Sequence, residues 1–278
     1  MGQQTPDAPV ITIDGQALAD VESFKYLGST IASNLSFDAV IDASIAKATG
    51  VMARLVKRVW HNDQLTNHTK LDVYGACVIS VLTYACETWT LYAHQERRLN
   101  SFHLRCLRRI LDISWEQHIP DTEVLRRAGT LSMHAILQQR RLRWLGHVHR
   151  MAPNRLPRAI LYGELEQGTR LPGRPLLRYK DLCKRDLQDA AVDITQWEGQ
   201  ANDRNEWRQL IRQGIEAAED RRIAHQKEKR RRRKESLHPA STFVCPECSR
   251  DCHSRIGLYS HNRKCGGDQN QRAAHRQP

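Results

Sequence analysis

Four of the chain's eight cysteines crowd into one C-terminal segment, and their spacing constrains that segment more than any other feature does. Residues 243–265 read FVCPECSRDCHSRIGLYSHNRKC, within which stands Cys245-x2-Cys248-x12-His261-x3-Cys265. Two Cys separated by two residues supply one edge of a tetrahedron from a knuckle turn. A His and a Cys four positions apart on a helix face supply the opposite edge. Zinc takes four soft or borderline ligands in this geometry. A segment this short cannot bury enough core to fold alone, so metal binding supplies the folding energy. We therefore expect one Zn²⁺ per chain on Cys245, Cys248, His261 and Cys265. Cys252 and His253 lie within the same segment and stand as competing ligands. Cys77, Cys86, Cys106 and Cys183 are dispersed on apolar or helical stretches and read as buried thiols. The N-terminus MGQQTPDAP has no apolar region of a secretory signal, so the cluster reads as a metal site and not as a disulfide framework.

Charge is distributed unevenly. The net charge is +12, and it separates into blocks of −4 (1–96), +12 (97–185), −6 (186–220) and +10 (221–278). Two basic blocks flanking an acidic one suggest two surfaces for a polyanion, most simply nucleic acid. The alternative is two solvated helical faces. No apolar run approaches the roughly 18 residues of a membrane span, which argues against a membrane partner. Aromatics are 6% of the chain, so its core must rest on Leu, Ile, Val and Ala.

Periodicity indicates a mainly α chain. Residues 10–13 and 21–27, with Asp14-Gly15 between them, suggest one N-terminal β-hairpin. Ile41, Ile45, Ala48, Met52, Leu55 and Val59 then form a helical stripe, with Ser36 as its N-cap. Further helices are expected near 66–82, 95–113, 121–128, 132–151, 179–191 and 206–234. Residues 84–91 (YACETWTL) read as a strand or a buried turn. Pro153, Pro157, Gly163, Gly168, Pro172, Gly173 and Pro175 break the stretch after 151 into loop. The resulting organisation is a hairpin region (1–35), a helical basic domain (36–220), a basic linker (221–241) and a small ββα zinc finger (242–266).

On the 132–151 helix, Arg140, Arg143, His147 and Arg150 step by three and four residues and share one face, with Trp144 at its flank. A guanidinium row beside an indole suits a phosphate backbone with one stacked base. The alternative is a core Trp beneath a solvated basic face. Arg170 and Arg174 flank Pro172-Gly173 in a loop where guanidinium and backbone N–H can meet phosphate. The run Lys227, Lys229, Arg230, Arg231, Arg232, Arg233 and Lys234 reads as a nuclear localisation signal, or else as a solvated extension.

Beyond the ligand spacing, the terminal segment resembles the Cys2His2 zinc-finger class with the last His replaced by Cys265. Phe243 fills the aromatic position before the first Cys, and Leu258 the apolar position before the His. Cys252 stands where that class has a core aromatic. The three helix positions that read bases in the class fall on Ser254, Gly257 and Ser260, none of which makes bidentate base contacts. Arg255, Arg263 and Lys264 are available for phosphates. Low sequence specificity follows, with a protein-contact or RNA role as rival.

Three stretches of the larger region carry a second resemblance. They are FKYLGST (24–30); LTYACETWTL (82–91) followed by LRCLRRI (104–110); and RRLRWLGHVHRM (140–151) followed by GTRLPGRPLLRYKD (168–181). In this order they resemble the C-terminal part of the polyprotein of non-LTR (LINE-type) retrotransposons. In that family the end of a reverse-transcriptase palm leads into a helical thumb and a terminal zinc knuckle. The resemblance covers roughly residues 8–265. It implies that Tyr26-Leu27-Gly28 and Thr30 correspond to a primer-gripping hairpin. The departures matter equally. Polymerisation needs paired carboxylates for two metal ions, and the family's Tyr/Phe-Ala-Asp-Asp turn is missing from this sequence. So are a Walker loop, a Gly-x-Ser-x-Gly elbow and a His-Glu-x-x-His pair. The expectation is a truncated retrotransposon reading frame without catalytic residues. It would act as a nuclear, zinc-dependent binder of RNA or DNA with no small-molecule substrate. A polymerase fragment acting in trans, and a host regulatory or protein-interaction zinc-finger protein, are the alternatives.

Overall fold

The computed structural model describes residues 11–19, 21–163, 177–235, 243–252 and 254–273. It is mainly α, with two small antiparallel hairpins at its N-terminal end. Strand β1 (Thr12–Ile13) pairs with β2 (Gln16–Ala17) across Asp14-Gly15, and β3 (Ser23–Tyr26) pairs with β4 (Ser29–Ala32) across Leu27-Gly28. The four turn residues have φ of 48°, 80°, 47° and 83°. Positive φ at both central positions is the primed turn whose twist matches the flanking strands. The single hairpin expected from 10–13 and 21–27 is thus two. A two-residue turn closes the register at once (Ile13↔Gln16, Tyr26↔Ser29), so each run pairs with the residues just past its own turn.

Two compact units follow from the packing, residues 1–223 and 224–278. In the first, α1 (Asp38–Arg54) buries Ile41, Ala48 and Met52 of the stripe seen in the sequence, with Val40 beside them and Ile45 and Leu55 half-buried against the same core. Phe37 occupies its cap position, with Ser36 one residue earlier accepting from the Asp38 N–H at 3.2 Å. A π turn at Val56–Trp60 carries Trp60 back to donate to the Met52 carbonyl at 2.8 Å. Helix α2 (Asn67–Val73), capped by Thr66, runs through a π segment at Tyr74–Ile79 into α3 (Ser80–Leu82). Ala85 then takes a left-handed conformation, and a short 3-10 turn at Cys86–Thr88 tucks Cys86, Trp89 and Leu91 into the interior. Residues 84–91 are therefore a buried turn, one of the two expected forms.

Helices α4 (Ala93–Ile110), α5 (Asp121–Ala128) and α6 (Met133–His149) follow, with Ser132 capping α6 through the Ala135 N–H. Next come α7 (Leu156–Tyr162), α8 (Tyr179–Asp189), α9 (Trp197–Ala201) and α10 (Arg204–Glu235). Helix α7 lies where a loop is expected. Pro157 sits in its first turn, where a missing N–H costs nothing. No helix among the described residues is long and apolar enough to cross a membrane.

The first unit has two cores, and α6 serves both. Met133 and Leu137 join the core built on α1, α4 and α5, whereas Ala135, Leu142, Leu145 and Val148 join one built with α7, α8 and α10. Between them lies Arg141, fully buried, with its Nε 2.5 Å from Asp186 Oδ2 on α8 and its Nη1 3.2 Å from the Trp89 carbonyl. Gln138 donates to the other Asp186 oxygen at 3.3 Å. Burial opposes the Arg141 charge, but Asp186 outweighs it and holds the guanidinium protonated. Gly146 sets the approach of α10. A Cβ there would fall 2.6 Å from Trp207 Cδ1, and the Trp207 indole donates to the Leu142 carbonyl at 3.0 Å.

Candidate metal centre and basic surface

In the second unit, Val244 and Asp251 form a bridge, Cys245 N donates to the Arg250 carbonyl at 2.9 Å, and Cys252 N donates to Phe243 at 3.0 Å. Ser249 adopts φ 57°, and its N–H returns to the Cys245 carbonyl at 2.9 Å. These bonds fold residues 245–248 into a knuckle that turns both thiols the same way. Helix α11 (Arg255–Ala273) follows and carries His261 and Cys265 one turn apart. Ser254 caps it by accepting the Gly257 N–H at 3.0 Å.

The ligand atoms of Cys245, Cys248, His261 and Cys265 all lie within 4.8 Å of one another, and Cys248 Sγ is 3.1 Å from His261 Nε2. Donors on a tetrahedral zinc are separated by about 3.8 Å, given Zn–S bonds near 2.3 Å. Donor chemistry and spacing therefore fit a metal ion of zinc's kind. Burial raises the Cys245 thiol, but the backbone N–H groups of Cys248 and Glu247 outweigh it and leave it below its usual range. Cys265 is pushed up to about 11, chiefly by its hydrogen bond with Cys248. Cys252 is outside this set, its Sγ facing the Arg250 carbonyl at 3.6 Å. His253 lies outside the described residues.

Two of the three base-reading positions of the finger class have structural work in this segment. Ser254 is the cap, and a Cβ on Gly257 would press into the Cys252 carbonyl and stand 3.0 Å from Ser254 Oγ. Arg255 and Arg263 are exposed, as is Ser260. The side chain of Lys264 lies outside the described residues. Apolar side chains are also exposed: Val244 at 46%, and Ile256 and Tyr259, three residues apart on α11, at 80% and 69%.

In the first unit, Arg143 and His147 on α6 are exposed, and Arg140 and Arg150 are half-buried. The outer two are anchored: Arg140 donates to the Thr83 carbonyl at 3.4 Å, and Arg150 to the Ala201 carbonyl. Trp144 is half-buried against the second core, with its ring centroid 5.2 Å from that of His147. Arg170 and Arg174 lie outside the described residues. Lys227, Lys229, Arg230, Arg231, Arg232 and Arg233 lie exposed on α10, where Glu228 pairs with Arg231 and Arg232, both at 2.8 Å; the Lys234 side chain lies outside the described residues.

Two features of the fold are not apparent from the sequence pattern. One is buried Arg141, indistinguishable by type from its neighbour Arg140. The other is a row of exposed arginines on α10, Arg204, Arg208 and Arg212, whose four-residue spacing is visible in the sequence but hidden by the net acidity of 186–220.

No protein-family description matches the chain, and no solved structure matches it. A transposon-derived protein of Caenorhabditis elegans is 26% identical over 152 residues, covering 51% of this chain and 54% of that protein. The matched region thus spans about half the length of that relative.

Proposed function

We propose that this chain is a retrotransposon-derived, zinc-dependent protein that binds RNA or DNA without catalysing a reaction on it. The observation that carries the reading is the basic face of α6, where Arg143 and His147 are exposed between the half-buried Arg140 and Arg150, beside the half-buried indole of Trp144. The C. elegans similarity supports a transposon-related origin. The Cys3His cluster supports a metal-stabilised finger. Zn²⁺ would be held by the thiolates of Cys245, Cys248 and Cys265 and by His261 Nε2, and its role is structural: it would fix α11 to the knuckle. Since Ser254 and Gly257 serve the fold of the finger, binding should depend on charge more than on sequence. Missing carboxylates argue against polymerisation, and Mg²⁺-dependent primer extension by the purified chain would refute that part. The helical run 227–234 is the proposed import signal; a reporter fused to residues 221–240 that stays cytoplasmic would refute it. The test of the function as a whole is titration of the full chain with RNA and DNA over a range of salt, where phosphate contacts impose a steep slope.

One observation favours a second reading for the finger alone. The exposed Ile256 and Tyr259, one turn apart on α11, suit a protein contact. If Ile256→Ser/Tyr259→Ser leaves nucleic-acid affinity unchanged while abolishing a protein complex recovered with the chain, the finger serves protein contact.

A further inference from the structure

The arginine face of α6 continues onto a second helix. Arg204, Arg208 and Arg212 follow one another at four-residue intervals on α10, and all three are exposed. Arg208 and Arg212 immediately follow Trp207 and Ile211, which enter the second core, so the row runs along the flank of the buried stripe. The Trp207 indole, bonded to the Leu142 carbonyl and seated on Gly146, fixes this flank beside α6. The guanidinium of Arg150 reaches the Ala201 carbonyl just before α10 begins. Among the described residues, no carboxylate forms an ion pair with Arg143, Arg204, Arg208 or Arg212.

The rows also feel one another. Arg143 is held below the usual arginine range, first by burial and then by the charges of Arg208, Arg140 and Arg212. Arg150 is lowered in the same way, by burial and then by Arg204 and Arg208, with Asp203 acting in opposition. Like charges held together without a counter-ion are unfavourable for the compact state. Such an arrangement is relieved by an external polyanion. Every cation in the two rows is arginine, whose planar fork matches phosphate bidentately and stacks on bases. The Trp144–His147 ring pair at the edge of the α6 row adds a stacking platform that an acidic peptide would not use.

We propose that Arg143 of α6 and Arg204, Arg208 and Arg212 of α10 form one two-helix site for the phosphodiester backbone of a nucleic-acid strand, with Trp144 and His147 receiving a base at its edge. This rests on the nucleic-acid reading above and names the site that carries it. The test compares the full chain with Arg204→Gln/Arg208→Gln/Arg212→Gln, and with Arg208→Gln alone as a milder change. Each is titrated with single- and double-stranded RNA and DNA oligonucleotides of one length at several salt concentrations, and with poly-L-glutamate as competitor. The melting temperature of each free protein is also recorded.

The triple variant should bind about tenfold or more weakly at low salt, with a salt slope shallower by about two to three units. Its melting temperature should equal or exceed that of the wild type, because repulsion has been removed. Single strands should bind more tightly than duplexes, and Trp144→Ala should narrow that difference. An unchanged slope in the triple variant, beside a wild type that binds steeply, overturns this site and leaves the functional reading standing. A lower melting temperature overturns it also, since the arginines would then be structural supports. Displacement by poly-L-glutamate as effective per charge as by RNA would make this a peptide surface. A wild type with no salt-dependent binding to any strand defeats the functional reading itself.

Discussion

Replacing Gly146 by Ala tests how α6 and α10 are joined. The added Cβ would stand 2.6 Å from Cδ1 and 2.9 Å from Cε2 of Trp207, whereas carbon atoms in ordinary contact are about 3.5–4.0 Å apart. Trp207 is almost fully buried, so the indole has nowhere to retreat without disturbing the second core. Overpacking of this kind costs about 1–3 kcal/mol. Moving the indole also breaks its bond to the Leu142 carbonyl, and an unmet buried donor costs about 1–3 kcal/mol. The gain in helix propensity from Gly to Ala offsets about 1 kcal/mol. The net is a loss of about 3 kcal/mol, or a melting temperature about 6–12 °C lower for a unit of this size. Gly50 provides the control. It is exposed on α1, and a methyl group added there would meet nothing within 4 Å, so Gly50→Ala should gain about 0.5–1 kcal/mol. Thermal and urea unfolding followed by circular dichroism read both. If Gly146→Ala is as stable as Gly50→Ala, Trp207 does not pack on Gly146 and the two-helix surface loses its support.

Further outcomes follow from the same structure. Asp186→Ala leaves Arg141 buried and unpaired and should cost about 3–5 kcal/mol in urea unfolding, whereas Arg141→Met/Asp186→Leu should recover much of it; equal losses in both would show that the pair is not the cause. His103 is fully buried between the Tyr74 hydroxyl (2.8 Å) and the Leu131 carbonyl (3.2 Å), and burial pushes it down from 6.5 to about 4. The unfolded chain therefore binds the proton first, so stability is full above pH 6.5 and should fall by about 3 kcal/mol as the pH drops to about 4. His103→Gln should flatten that part of the pH profile, and a slope identical to wild type would count against the assignment. Cys245→Ser and Cys265→Ser should lose zinc by elemental analysis while the melting of residues 1–223 is unchanged, and Cys252→Ser should retain one zinc; the reverse pattern would displace Cys265 from the ligand set.

What was legible in the sequence was local. The stripe of α1 and the helix starts near 66 and 132 express interactions within a few residues and lie where the pattern puts them, while the Ser36 cap is displaced by one residue to Phe37. The Cys/His spacing likewise brings its four donors together, because one knuckle and one helix turn fix it. The misread elements depend on context. Pro157 breaks a helix interior but opens α7, and only the position of the first turn decides between them. Residues 21–27 could pair backward or forward, and the tightness of the Asp14-Gly15 and Leu27-Gly28 turns decided it. Arg141 finds Asp186 45 residues away, a pairing that no periodicity announces. The α10 arginines escaped because block charge averages along a helix whose sign changes with position: Arg204, Arg208 and Arg212 lie in its first turns, and Glu216, Glu219 and Asp220 follow them. The two π segments, at Val56–Trp60 and Tyr74–Ile79, have no signature that we can identify in the residues that form them.

The central claim is that this chain binds nucleic acid through its phosphates. The most direct test is the dependence of log K on log salt for the zinc-loaded full chain on a single-stranded RNA, with a DNA of the same sequence alongside. Binding without strong sequence preference is predicted, with a slope equivalent to several neutralised phosphates. Absence of binding at low salt, or binding whose affinity is indifferent to salt, would contradict it.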